Sequence, residues 1–192
     1  IPQAITVLGA RPLRELVLAT SVASAFDKIS TELVDMADFW HHSIYCGILA
    51  RTLARRQRLG QPEQIFVAGL LHDIGKLVIY HQLPEQAAEV FARFAESDQP
   101  FYRVEREVLG FDHAAVGTAL LTIWKLPELL RTTVTFHHMP TAAARFVDEV
   151  AFVHVANALT KKVEPGYKVQ RPESESVAID PSIAQRVPLD PQ

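Results

Sequence analysis

The chain has 192 residues, enough for one domain with a core of its own. Apolar residues make up 48% and charged residues 21%, and 19 basic against 22 acidic side chains leave a net charge of −3. Nothing in that balance calls for nucleic acid or an anionic membrane as partner, no apolar run reaches the ~18 residues of a bilayer span, and one cysteine, Cys46, excludes an internal disulfide.

The opening "IPQAITVLGARPLREL" lacks an initiator Met, begins in mid-pattern and shows no signal peptide, so the chain reads as a cytoplasmic fragment of something longer. Leu13, Leu16, Val17, Val22 and Phe26 recur at helical spacing. So do Trp40, Ile44, Ile48, Leu49, Leu53 and Leu59, with Arg51, Arg55, Arg56 and Arg58 mostly on a solvated face. Cys46 in this helix reads as a small buried apolar residue.

Three later helices are expected to open with proline, at "QPEQIFVAGLL", "LPEQAAEVFARF" and "LPELLRTTVTFHH". The first helical N–H has no intrahelical partner, so proline loses nothing there. Glu63, Glu85 and Glu128 follow where the helix dipole favours a carboxylate. Asp112 is the expected N-cap of "HAAVGTALLTIW", and a last helix runs from about Phe146 to Val163, stopped by Pro165 and Gly166. No stretch alternates with period two, so the expected fold is all-α. Residues 1–165 form the helical domain, and residues 166–192, rich in Pro, Ser and Glu, form an extended or partly disordered tail.

Within this helical frame, "LLHDIGKL" puts His72, Asp73 and Lys76 into an apolar run. Seven of the eight histidines fall in order on separate predicted helices: His41 and His42, His72, His113, His137 and His138, and His154. The eighth, His81, ends "GKLVIYHQL". Neutral imidazoles and carboxylates are ligands for borderline and hard cations, and a helical bundle can project them inward. A lone histidine in an apolar helix is usually a satisfied core residue. From spacing alone, a metal or ligand site and a purely structural buried network stand level. On a continuous helix, His72 and Asp73 would point about 100° apart, which suits one ion only if the helix lies across it.

The ordered series "WHHS", "AGLLHDIGKL", "FDHAAVGTALL", "FHH" and "VHVAN" resembles the HD superfamily of metal-dependent phosphohydrolases, and within it the HDOD family, the HD-related output domain of bacterial signalling proteins. The resemblance covers roughly residues 1 to 165 and implies an HD-type helical bundle whose first helices are missing. It implies metal-binding roles for His42, His72, Asp73, His113, His137 and His138. At the place of the superfamily's last metal-binding aspartate stands Asn157, which offers a carbonyl oxygen without charge. Lys76, at i+3 from Asp73, matches a lysine suited to a substrate phosphate. An ion pair with Asp73 is the equal alternative. Gly75 is read as allowing a close approach of helices or ligand.

The resemblance implies a regulatory output or interaction module working with receiver, sensor or other signalling partners, with a nucleotide as a further candidate ligand. The alternative is a phosphohydrolase acting on a nucleotide, a cyclic dinucleotide or another phosphate ester, with Asp73 as ligand or base and Lys76 on the phosphate. The expected cofactor is one divalent ion (Fe, Mn, Zn or Mg) or none, and catalysis is not expected because of Asn157.

Overall fold

Asp35 accepts a hydrogen bond from the backbone N–H of Ala37 at 2.7 Å, and α1 (Met36–Arg56) begins there. The cap satisfies a donor that a first helical turn leaves open. The computed structural model describes residues 17, 21, 26, 33–58, 61–163 and 179–187. The first predicted helix therefore falls largely outside the described residues. Of it, Phe26 is buried and meets Trp124 edge-on, with ring centroids 6.4 Å apart. Leu59 also lies outside.

Proline opens α2 (Pro62–Leu71) and α4 (Pro84–Ala95) as expected. Between them runs α3 (Ile74–Gln82). Pro127 instead sits at the N-cap of α7 (Glu128–Phe136), one residue before the helix. Asp112 caps α6 (His113–Ile123) by accepting from the Ala115 N–H at 2.8 Å, and α8 spans Val147–Val163. One helix was not anticipated, α5 (Phe101–Leu109), where Phe101, Val104 and Val108 repeat with helical spacing among charged neighbours. A 3₁₀ turn, Pro140–Ala142, and the four-residue α9 (Pro181–Ala184) complete the elements. The described residues contain helices and no strand, and no helix among them is long and apolar enough to cross a membrane. The fold class is all-α.

Two glycine contacts set the helix spacing. A Cβ on Gly69 of α2 would fall 2.7 Å from the Gly47 Cα of α1, so these helices touch backbone to backbone. A Cβ on Gly75 of α3 would fall 2.0 Å from the His113 carbonyl oxygen and 2.6 Å from the Gly117 nitrogen. Real Cβ atoms never approach so closely, so α3 meets α6 at this distance only through glycine. α8 packs against α1, α2 and α7 and places the fully buried Phe152 in the main core. Emptying such a site costs about 3–5 kcal/mol. A smaller cluster, Val90, Phe94 and Val104, joins α4 to α5.

In the predicted tail, residues 179–187 are docked. Ile183 and Val187 are buried in the main core. Ile179, partly buried, packs against the same core, so the segment builds no core of its own and uses that of the body. Residues 164–178 and 188–192 lie outside the described residues.

Candidate metal centre

The apolar run around "LLHDIGKL" is not one helix. α2 ends at Leu71, His72 and Asp73 form the turn, and α3 begins at Ile74. Asp73 occupies the N-cap position of α3 with φ −100° and ψ 6°, yet its side chain does not cap the helix. The carboxylate turns inward. Lys76 donates to Asp73 Oδ2 at 2.6 Å, so the ion pair expected as one reading of Lys76 is formed, buried beside the Phe101 ring 5.5 Å away. The break also removes the 100° constraint of a continuous helix, and His72 Nε2 lies 3.4 Å from Asp73 Oδ2.

His113, His137 and His138 arrive from helix ends as well. His113 is the first residue of α6, His137 is the C-cap of α7, and His138 follows in the turn. His113 Nε2 stands 3.1 Å and His137 Nε2 3.6 Å from Asp73 Oδ1. His138 Nε2 is 2.8 Å from His113 Nε2, one ring donating to the other. His42 projects from the middle of α1, its ring centroid 5.4 Å from that of His72. Ligand atoms of Asp73, His113, His137 and His138 all lie within 4.8 Å of one another, as do those of His42, His72 and Asp73. Asp73 thus belongs to two donor groups. All these residues are buried except His138, which is half-buried. Of the remaining histidines, His41 and His81 are exposed, and neither they nor His154 is in a donor group.

The donors face the cavity because their other ring nitrogens are engaged. His72 Nδ1 donates to the Gly69 carbonyl at 2.6 Å and His137 Nδ1 to the Val134 carbonyl at 2.8 Å. With Nδ1 engaged in this way, Nε2 is the nitrogen turned inward, and it offers a lone pair once it carries no proton. His113 Nδ1 lies 2.5 Å from Glu105 Oε2, which also accepts from the His113 backbone N–H at 3.0 Å. Such outer partners orient imidazole ligands at metal sites. Glu105 was missed from sequence. The signal was a carboxylate on the inner face of the unanticipated α5.

Buried polar atoms normally find partners. Here His72 Nε2, His137 Nε2, Asp73 Oδ1 and Asn157 Oδ1 are buried without a hydrogen bond. The approaches of 3.1–3.6 Å around Asp73 bring these atoms close without aligning them. Imidazole nitrogens and a carboxylate oxygen pointing unpaired into one cavity fit a divalent ion of the borderline class. The group could bind a metal.

Charge in the cavity follows from these neighbours. Burial opposes the charged form of His72, but the Asp73 carboxylate outweighs it and raises the imidazole to about 10. Burial opposes charge on His113 too, and Glu105 and Asp73 raise it nonetheless. Burial pushes His137 down to about 3 and, with His137 and His113 beside it, holds His138 well below the usual range. Burial alone would raise Asp73, but His72, Lys76 and His113 hold it well below the carboxylate range. Without an ion, the proton held by His72 supplies part of the positive charge that Asp73 calls for, and His113 is shifted toward its charged form.

An all-helical bundle that gathers histidines from three helix ends and the body of α1 around one aspartate defines an HD-like class. The HDOD domain model matches residues 1–140, and the chain belongs to that family. Among solved structures, it is similar to a proposed phosphohydrolase from Shewanella amazonensis SB2B, at 31% identity over 84% of this chain and 59% of that one, with a TM-score of 0.76. An HDOD domain protein of unknown function from Geobacter sulfurreducens matches at 26% identity over 96% and 63%, with a TM-score of 0.79. A proposed signal transduction protein from Marinobacter aquaeolei VT8 shares the fold, at 20% identity over 82% and 34%, with a TM-score of 0.67. An uncharacterised protein of Treponema pallidum is 27% identical over 161 residues, 82% of this chain. The chain spans 30% of that curated relative's length.

Proposed function

We propose that this chain is a regulatory output domain of a signalling protein, built around a metal-binding cavity that does not hydrolyse phosphate esters. Its donors are His42, His72, Asp73, His113, His137 and His138. The carrying observation is the charge of the site. Its two donor groups contain one carboxylate between them, Asp73, and Lys76 already holds one oxygen of it. Two divalent cations would meet a single, partly neutralised anion. Asn157, buried with an unpaired carbonyl oxygen, adds no charge. A bound ion supplies Lewis acidity and neutralises Asp73. Asp73 and the imidazoles hold it, Glu105 fixes the His113 tautomer, and Lys76 balances the carboxylate. The relatives are longer than the match, which suits a module working on attached receiver or sensor domains. That the Marinobacter protein is a proposed signalling protein is support by fold analogy alone.

The hydrolase reading is kept because of the Shewanella relative and because Lys76 borders the cavity, where it could meet a phosphate of a nucleotide or cyclic dinucleotide. Metal-loaded protein incubated with nucleotides, cyclic dinucleotides and a chromogenic phosphodiester is expected to show no turnover above an Asp73→Ala control. Metal-dependent turnover that disappears in the control would make the chain an enzyme and overturn the regulatory proposal. Metal content of untagged protein purified without chelator identifies the ion.

A further inference from the structure

Segment 179–187 touches the body at four places, and they converge on one corner. Ile183 and Val187, each 1% exposed, anchor it in the main core. Arg186 donates to Asp148 of α8 at 2.8 Å. The short helix α9 packs on the 3₁₀ turn Pro140–Ala142, which follows His138 after one residue. Finally, the Asp180 backbone N–H donates to His154 Nε2 at 3.2 Å.

That last bond settles the tautomer of His154. Nε2 accepts, so the ring proton sits on Nδ1. Nδ1 lies 2.8 Å from the carbonyl oxygen of His137 and donates to it. One neutral imidazole therefore joins the C-terminal segment to the backbone of a cavity residue. His137 is a helix C-cap, where carbonyls lack intrahelical partners and their direction depends on outside donors. His137 and His138 both stand on this corner, outside the regular helix.

We infer that residues 179–187 are a latch that acts through His154 to position the His137–His138 corner, so that docking of the segment and occupancy of the metal centre are coupled. The inference rests on the metal reading of the cavity. His154 is a positioning residue and touches no ion. Coupling between two sites is reciprocal: if docking tightens the centre, an ion in the centre tightens docking by the same factor. A partner that engages the chain at residues 179–187 would thereby reach the buried centre without entering it.

The test uses the full chain and manganese(II). Three variants probe separate links. Ile183→Asp removes the apolar anchor, Arg186→Glu reverses an exposed ion pair while leaving the core intact, and His154→Leu cuts the relay. Calorimetry is expected to show affinity falling about tenfold in Ile183→Asp and His154→Leu, within the usual range of coupled sites, and less in Arg186→Glu. Hydrogen exchange supplies the reciprocal reading. Manganese should slow exchange of the amides at 180–187 in the parent chain and leave them unchanged in His154→Leu. A merely structural His154 would not transmit that protection. Should Ile183→Asp fail to fold by circular dichroism, Arg186→Glu and His154→Leu carry the test. Tight binding with equal affinity in the folded variants would overturn the latch alone. No binding by the parent chain would overturn the metal reading and the coupling with it.

Discussion

Asp73 carries the site because three opposing influences meet on it: Lys76 and the two imidazoles of His72 and His113. An incoming cation must displace the protons that this carboxylate draws onto its neighbours. His72, raised to about 10, holds its proton at neutral pH, His113 is shifted in the same direction, and His137 and His138 are already neutral. Ion binding should therefore release at least one proton, from His72, and tighten as pH rises from 6 to 8. Calorimetry in buffers of different ionisation enthalpy counts the protons, and a proton-free binding event would contradict this account. Glu105→Gln keeps an acceptor for His113 but removes the charge. It should weaken manganese by about tenfold or more, the usual cost of losing an outer partner. Asn157→Asp should strengthen it by roughly tenfold, since ligand charge tunes affinity. Equal affinity there would mean that position 157 does not reach the ion. The histidines that gather around Asp73 stood out in the sequence because histidine is costly to bury and seven of them fell in order on five segments. Glu105 was hidden, since a carboxylate among Arg103, Arg106 and Glu107 looks like any solvated helix face.

The decisive element is the break between α2 and α3. Periodicity reads the apolar run from Ile65 to Leu77 as continuous, because nearly every residue of that run is buried and neither Gly nor Pro stands at His72 or Asp73 to mark the junction. The turn at His72 and Asp73 is imposed by packing. Gly75 lets α3 press against the start of α6, and this brings Asp73 to His113. The sequence reading of Gly75 as a close-approach residue was right, with helix α6 as the neighbour. Proline starts were legible to within one residue, since the fixed φ of proline suits either the first helical position or the one before it. Gly75→Ala tests the contact. Its Cβ would meet rigid backbone, so urea unfolding should show a loss of about 3 kcal/mol, at the upper end of overpacking costs. A loss below 1 kcal/mol would mean that the helices slide apart easily.

At the scale of the whole molecule, the all-α class and the HDOD assignment were legible because motif order survives where spacing varies. For residues 179–187 the sequence reading left an extended and a partly disordered tail both open; Ile179, Ile183 and Val187 recur there every four residues, a short helical signal that the Pro- and Ser-rich surroundings masked. Burial of the cavity carries a kinetic consequence. His138 is the only donor with appreciable surface, and Tyr102 stacks on it with ring centroids 4.4 Å apart and planes 15° from parallel. An ion so enclosed departs no faster than its cage opens. Extraction by excess chelator should level off at a rate that further chelator cannot increase, and Tyr102→Ala should raise that plateau. The trapped ion would then serve as a clock, its escape time recording how often the fold breathes at that one seam.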